Sequence, residues 1–322
     1  MIRTVDYHTG GEPFRIAVDG VPEIPGATVA ERRRNTGHVD HLRRLLCHEP
    51  RGHADMYGCF LVPPDDAGAD LGVLFWHKDG YSTACGHGTI ALGVHAVQEG
   101  LVPVTGAVTP VVVDVPSGRV TALVRCEEGR VVSVAFRNVA SYVVARDVPV
   151  EAVTGDAPGD STGAAPGDVT VDLAYGGALY ASVPASAFGL TVEPEHLPAF
   201  VAAGRRVKAA LSGHPDLYGV IFHEEVGGPL HQRNVTVFAD GEVDRSPCGS
   251  GTCARLALLA ESHGDGLVLT HDSVVGSRFV ARVVARTEQG IVPEVEGMAY
   301  RTGRHVFDLD PADPVGHGFT LR

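Results

Sequence analysis

Lysine is nearly missing from this chain. Lys78 and Lys208 are the only two in 322 residues, and arginine carries the rest of the positive charge. A pyridoxal phosphate enzyme would have to form its Schiff base on one of them, and neither sits in a recognisable site. No run approaches the ~18 apolar residues of a membrane span, and the start "MIRTVDYHTGGEPFRIAVDG" lacks the basic-then-apolar order of a signal segment. The expectation is a cytoplasmic protein with no membrane partner. CxxC pairs are absent as well: Cys47, Cys59, Cys85, Cys126, Cys248 and Cys253 are scattered, which argues for thiols rather than a disulfide framework. Net positive charge is missing too. At −13, the summed field repels phosphate backbones, so no nucleic-acid partner is expected.

What is present is a glycine-rich, valine-rich chain too long for one ordinary core, and the size suggests about two domains. Alternating Val-rich runs broken by Gly, Pro or Asp predict strands in 68–77, 108–115, 119–139, 233–243 and 277–300. Helical spacing appears in 28–46 and 194–211, and two further helices are predicted over 88–100 and 251–264. These last two are apolar nearly all round, so both should be buried. Residues 151–169, "EAVTGDAPGDSTGAAPGDV", are low-complexity and read as a loop excursion.

Both buried helices follow the same motif. "TACGHGTIA" (83–91) returns as "SPCGSGTCA" (246–254), about half a chain later. One copy alone is a tight strand-to-helix turn, with glycines for the bend and cysteine as a small apolar residue. Two copies suggest two related halves, and small ligands bind in clefts between domains. Two thiols, each at a helix start where free N–H groups favour thiolate and carboxylate, would then address one ligand from opposite sides. Inverting a carbon that bears a carboxylate needs that arrangement: one group removes a proton from one face and another delivers a proton to the other. A tuned thiol can serve as either base or acid.

Other chemistry competes. A zinc site from Cys85, His87, Cys248 and Cys253 lacks the usual ligand spacing. A thiol nucleophile with a histidine base leaves the repeat unexplained. A phosphate-cradling loop wants a lysine that neither motif contains. A non-enzymatic binding protein would need a cleft but not two thiols. No cofactor and no metal are expected.

In "DYHTGGEPFRI" (6–16), "EPRGHADMYG" (49–58), "GADLGVLF" (68–75), "GYSTACGHGTIALG" (80–93) and "VFADGEVDRSPCGSGTCARLA" (237–257), the chain resembles the proline racemase family nearly end to end. That family comprises proline racemases, hydroxyproline 2-epimerases and trans-3-hydroxyproline dehydratases. The resemblance implies an α/β (α+β) fold like that of diaminopimelate epimerase, two pseudo-symmetric halves that are each a strand barrel around a central helix. The first half would span 1–118 with a C-terminal return at about 300–322, and the second 119–299. It implies Cys85 and Cys248 as the acid/base pair. Gly86, His87, Gly249 and Ser250 would hold the substrate carboxylate through helix-start N–H groups, and Asp244 would receive the ammonium. From the residues alone, Asp244 could instead cap the turn before Pro247, and His87 could be a backbone donor with a packed ring. "HTGGEP" and "EPRGHADM" are assigned structural roles.

The second cysteine bears on reaction type. The family's dehydratases carry Thr there, which suits elimination with one base, whereas this chain has Cys248. The flanks "GYSTACGHGTIALG" and "VFADGEVDRSP" look more like the dehydratase branch. Two-base inversion is favoured because chemistry at the reacting carbon outranks likeness in the flanks. Tyr57, Phe75 and Phe238 match an aromatic substrate pocket. Val220 stands near where epimerases resembling this chain often place a His, which points to proline or 3-hydroxyproline ahead of 4-hydroxyproline. A small-molecule substrate is the expected partner, and a homodimer is the one assembly left open.

Overall fold

A computed structural model of the chain describes residues 1–150, 169–264 and 266–321. The low-complexity stretch read as a loop excursion lies outside the described residues, except for Val169 at its end. Backbone contacts divide the chain into a first unit, Met1–Val139 with Val295–Arg322, and a second, Ala140–Glu294.

The first unit opens with β1 (Ile2–Thr9) and β2 (Glu12–Asp19), followed by short helices α1 (Val29–Arg34) and α2 (Asp40–Cys47). Next come β3 (Gly58–Val62), β4 (Leu71–His77), β5 (Gly80–Tyr81), α3 (Gly86–Gln98), β6 (Val108–Val115), β7 (Gly118–Glu127) and β8 (Arg130–Arg137). "HTGGEP" is the β1–β2 hairpin turn, with Gly10 at φ 59° and Gly11 at φ 93°. A two-residue hairpin loop of type I′ needs positive φ at both positions, which glycine adopts without strain.

The second unit contains β9 (Tyr142–Val150), β10 (Val169–Tyr175), β11 (Leu179–Pro184), α4 (Leu197–Ala210), β12 (Leu217–Glu225), β13 (His231–Phe238) and β14 (Glu242–Asp244). It continues with α5 (Gly249–His263), β15 (Val268–Ser273), β16 (Arg278–Thr287) and the start of β17 (Gly290–Gly297). The chain then rejoins the first unit, which ends with β18 (Ala299–Phe307).

The two units share one topology. In the first, the order is β18–β1–β2–β3–β4–β6–β7–β8, antiparallel except for the parallel pairs β2/β3 and β4/β6. In the second, it is β9–β10–β11–β12–β13–β15–β16, antiparallel except for β11/β12 and β13/β15. Strand for strand, the parallel pairs fall at the same places. A short strand, β5 or β14, pairs with β4 or β13 just before each cysteine.

The helix following each cysteine is the axis of its unit. From Gly86 to Ala96 every residue of α3 is buried, against β1, β2, β6, β7, β8 and β18. From Gly249 to Ala260 the same holds for α5, against β9, β10, β11 and β16. A helix without a polar face can only be stable when surrounded, as the sequence predicts.

Some expectations shift in detail. The sequence reading places the first boundary at 118/119. However, β7 pairs with β6, β8 pairs with β7, and both pack on α3, so the first unit runs on to Val139. The predicted helix over 28–46 is broken: α1 stops at Arg34, a short 3₁₀ turn spans Thr36–His38, and α2 starts at Asp40. Thr28 caps α1 by accepting the Glu31 N–H, and Arg33 reaches out of the helix to the Tyr81 carbonyl. Among the described residues, no helix is long and apolar enough to cross a membrane.

Candidate active site

Cys85 is the N-cap of α3, with extended backbone (φ −155°). Its Sγ accepts the Gly88 N–H at 3.2 Å, and its carbonyl accepts the Thr89 hydroxyl at 2.8 Å. The motif's second glycine now has a reason. A Cβ on Gly88 would lie 2.7 Å from Cys85 Sγ and 2.4 Å from Phe14 Cε2, so only glycine lets the sulfur lie over the helix start. His87 stands beside it, both ring nitrogens within 3.6 Å of Sγ. The imidazole is wedged edge-on against Phe14 (5.7 Å) and Tyr57 (5.0 Å), and burial pushes it down to about 3, so it is neutral at physiological pH. Tyr57 bonds the Ser82 hydroxyl, and Phe75 packs 6.1 Å from Phe14. Tyr57, Phe75 and His87 are thus gathered around Phe14 of β2, a residue just after "HTGGEP" to which the sequence reading gives no role.

Cys248 caps α5 in a different conformation. Its φ is +64°, a left-handed value that costs a non-glycine residue about 1–3 kcal/mol. Hydrogen bonds over-determine it. The preceding carbonyl, Pro247, accepts from Thr252 Oγ1 and from Asn234 Nδ2, each at 3.0 Å. The Cys248 N–H donates to Ser246 Oγ at 3.1 Å, and Ser246 donates its own N–H and hydroxyl to Asp244 Oδ1 at 2.8 and 2.7 Å. Gly251 repeats the role of Gly88: a Cβ there would fall 2.8 Å from Cys248 Sγ.

Electrostatics at Cys248 run against the expectation that a helix start favours thiolate. Burial, and after it the Asp244 charge, push the thiol well above its ordinary range, and the Gly251 N–H only partly opposes this. Burial likewise raises Asp244 to about 6, although its bonds from Ser246 pull the other way. The structure shows Asp244 capping the turn before Pro247 while standing next to the thiol.

Ser250, in the first turn of α5, bonds Tyr180 of β11, with Oη and Oγ 2.7 Å apart. Tyr180 meets Tyr218 edge-on at 5.8 Å, and Tyr218 stacks on Phe238 at 5.5 Å. Val220 does not join this group. Its side chain lies in the α4 core with Phe200 and Phe222, while its neighbour Ile221 clusters with Tyr180 and Cys248. Adjacent strand residues face opposite ways, so the inference drawn from Val220 about ring hydroxyls falls. Tyr180, Asn234 and Ser246 carried no local signal in the sequence, since their roles depend on strand pairing.

The sequence pattern of the family described as "Proline racemase" matches residues 4–320. The chain belongs to the proline racemase family. Within that family it is 42% identical to a trans-3-hydroxy-L-proline dehydratase of Bacillus thuringiensis subsp. konkukian, covering 99% of this chain and 97% of the relative. It is equally 42% identical to a 3-hydroxyproline 2-epimerase of Burkholderia multivorans, covering 100% and 98%. The crystal structure of a hydroxyproline epimerase from Agrobacterium vitis with bound trans-4-hydroxy-L-proline matches with a TM-score of 0.89 at 30% identity, covering 99% of this chain and 95% of that one. The mixed α+β fold expected from the proline racemase resemblance is the fold found, and membership makes the chain an enzyme of this racemase, epimerase and dehydratase group.

Proposed function

We propose that the protein inverts Cα of a proline-type imino acid, with Cys85 and Cys248 as the acid/base pair and 3-hydroxyproline as the substrate. The observation that carries this reading is the doubled capping geometry. Two units of the same topology each set one cysteine before an axial helix, with a glycine that makes room for the sulfur. A single-base enzyme has no use for the second copy.

In this reading one sulfur, as thiolate, takes the Cα proton, and the bonding pair passes into the carboxylate to give an enediolate. The N–H groups of Gly86, His87, Gly249 and Ser250 stabilise that charge, as helix starts do. The other sulfur, as thiol, gives its proton to the opposite face, so the two cysteines exchange protonation states in each turnover. Asp244 receives the substrate ammonium. Tyr57, Phe75 and Phe238 enclose the ring. The choice of 3-hydroxyproline rests on the two relatives at 42% identity, whose names both specify it.

Dehydration of trans-3-hydroxy-L-proline is the second reading, favoured by the name of the Bacillus relative. There, the pair left by the Cα proton expels the β-hydroxyl, which leaves as water, and the product relaxes to Δ1-pyrroline-2-carboxylate. Incubation with proline and the 3- and 4-hydroxyprolines, followed by chiral separation and assay of that product, tests both. Inverted 3-hydroxyproline is expected. Formation of the pyrroline product alone would replace inversion with dehydration.

A further inference from the structure

The hydroxyl of Tyr180 sits between two groups of the second unit: 2.7 Å from Ser250 Oγ and 3.8 Å from Cys248 Sγ. The ring has little freedom. It is 1% exposed, held edge-on by Tyr218 at 5.8 Å, and backed by Gly219, where a Cβ would come within 3.3 Å of Cε1. Its O–H can turn even though the ring cannot.

We infer that Tyr180 is a positioning residue that lets Cys248 alternate between thiol and thiolate by reversing a hydrogen-bond chain from Ser250 through Tyr180 to the sulfur. This rests on the acid/base role proposed for Cys248. With the thiol, S–H donates to Tyr180 Oη and the phenol donates to Ser250 Oγ. With the thiolate, Ser250 donates to Tyr180 and the phenol donates to the sulfur. The one covalent bond exchanged is S–H, whose proton passes to substrate Cα when the thiol acts as acid and comes from it when the thiolate acts as base. The two O–H rotors only turn, and the same three heavy atoms serve both states. A phenol suits the position because burial holds it well above its ordinary value, so it keeps its proton while the sulfur loses one. The need is local. Burial and the Asp244 carboxylate both oppose the thiolate, so a neutral donor that approaches without adding charge shifts the balance back.

The test compares the wild type with Tyr180→Phe, which removes one oxygen and keeps the ring. Iodoacetamide labelling of Cys248 is followed by peptide mass spectrometry from pH 6 to pH 10, with the partly exposed Cys126 as internal reference. In Tyr180→Phe the Cys248 profile should move up by about one pH unit, giving roughly tenfold slower labelling at pH 8 relative to Cys126. Ser250→Ala should move it the same way by less. Superimposable Cys248 profiles in wild type and Tyr180→Phe would overturn the inference. If Tyr180→Phe does not fold, an unmoved profile in Ser250→Ala does the same. The labelling needs no turnover, so a wild-type protein that inverts no imino acid removes the proposed function while the labelling still decides the role of Tyr180.

Discussion

Thr252 donates its hydroxyl to the carbonyl of Pro247 at 3.0 Å, tying α5 to the residue before its cysteine cap. In the first unit the matching residue, Thr89, bonds the carbonyl of Cys85 itself at 2.8 Å. The same Gly-Thr pair therefore holds two different cap conformations, extended at Cys85 and left-handed at Cys248. The cysteines are equivalent in topology but not in local strain or hydrogen bonding. Thr252 also lies 2.8 Å from Nδ1 of buried His271, which burial keeps neutral, so the ring N–H donates to the hydroxyl that donates to Pro247.

Thr252→Val keeps the shape and removes both bonds. It should destabilise the protein by about 1–3 kcal/mol, because a buried donor and a buried carbonyl lose a partner. Thermal unfolding should show a drop of several degrees. Deuterium exchange at Cα should fall further than the loss of stability accounts for, because Cys248 is no longer held at φ +64°.

Gly251→Ala tests the spacing of the motif. The new methyl would sit 2.8 Å from Cys248 Sγ and 3.2 Å from Ile221 Cδ1. The sulfur is the atom most free to move, so inversion should drop at least a hundredfold while the circular dichroism spectrum stays native. Retained activity would show that the sulfur needs no fixed place over the helix start.

Asp244→Asn separates binding from stability. The carboxyl is raised from 3.8 to about 6 by burial, so its proton is bound more tightly in the folded state than in the unfolded one. The favourable contribution is thus full below pH 3.8 and is lost as the pH rises through about 6. Asn lacks that ionisation penalty and still accepts from Ser246. The variant should be more stable than wild type at pH 7.5, by up to ~3 kcal/mol for a shift of about two units, with the gap closing as pH falls toward 4. The KM for substrate should rise sharply, because the ammonium loses its counter-charge. In wild type, KM should rise as pH falls below about 6, when Asp244 takes up its proton.

Single replacements Cys85→Ser and Cys248→Ser should each lower inversion by about 10²–10⁴-fold, the usual worth of one general acid/base group. Each should keep slow exchange from the face served by the remaining thiol. Loss of activity in only one variant would point to a single-base enzyme.

Much of this was legible from sequence for a physical reason. A helix apolar on all sides has to be an axis, and a cysteine-glycine motif repeated before two such helices marks two like units. Alternation located β6, and the pairs β7/β8 and β13/β14, to within a few residues. Illegible were features fixed by contacts distant in sequence. The positive φ of Cys248 is held by Asn234 and Thr252, the reach of Tyr180 depends on β11 lying beside β12, and the side faced by Val220 depends on which strand face meets α4. The chemistry of Cys248 is hidden for the same reason, since a helix start is visible in sequence but burial beside Asp244 is not.

The central claim is that two thiols serve opposite faces of one carbon. Wild-type protein incubated briefly with trans-3-hydroxy-L-proline in D2O measures it directly, through mass analysis of both isomers after chiral separation. The account predicts one deuterium at Cα in each molecule of the inverted product, cis-3-hydroxy-D-proline, and none in recovered substrate at early times. Early deuterium in substrate and product alike, or Δ1-pyrroline-2-carboxylate with no inverted isomer, would contradict it.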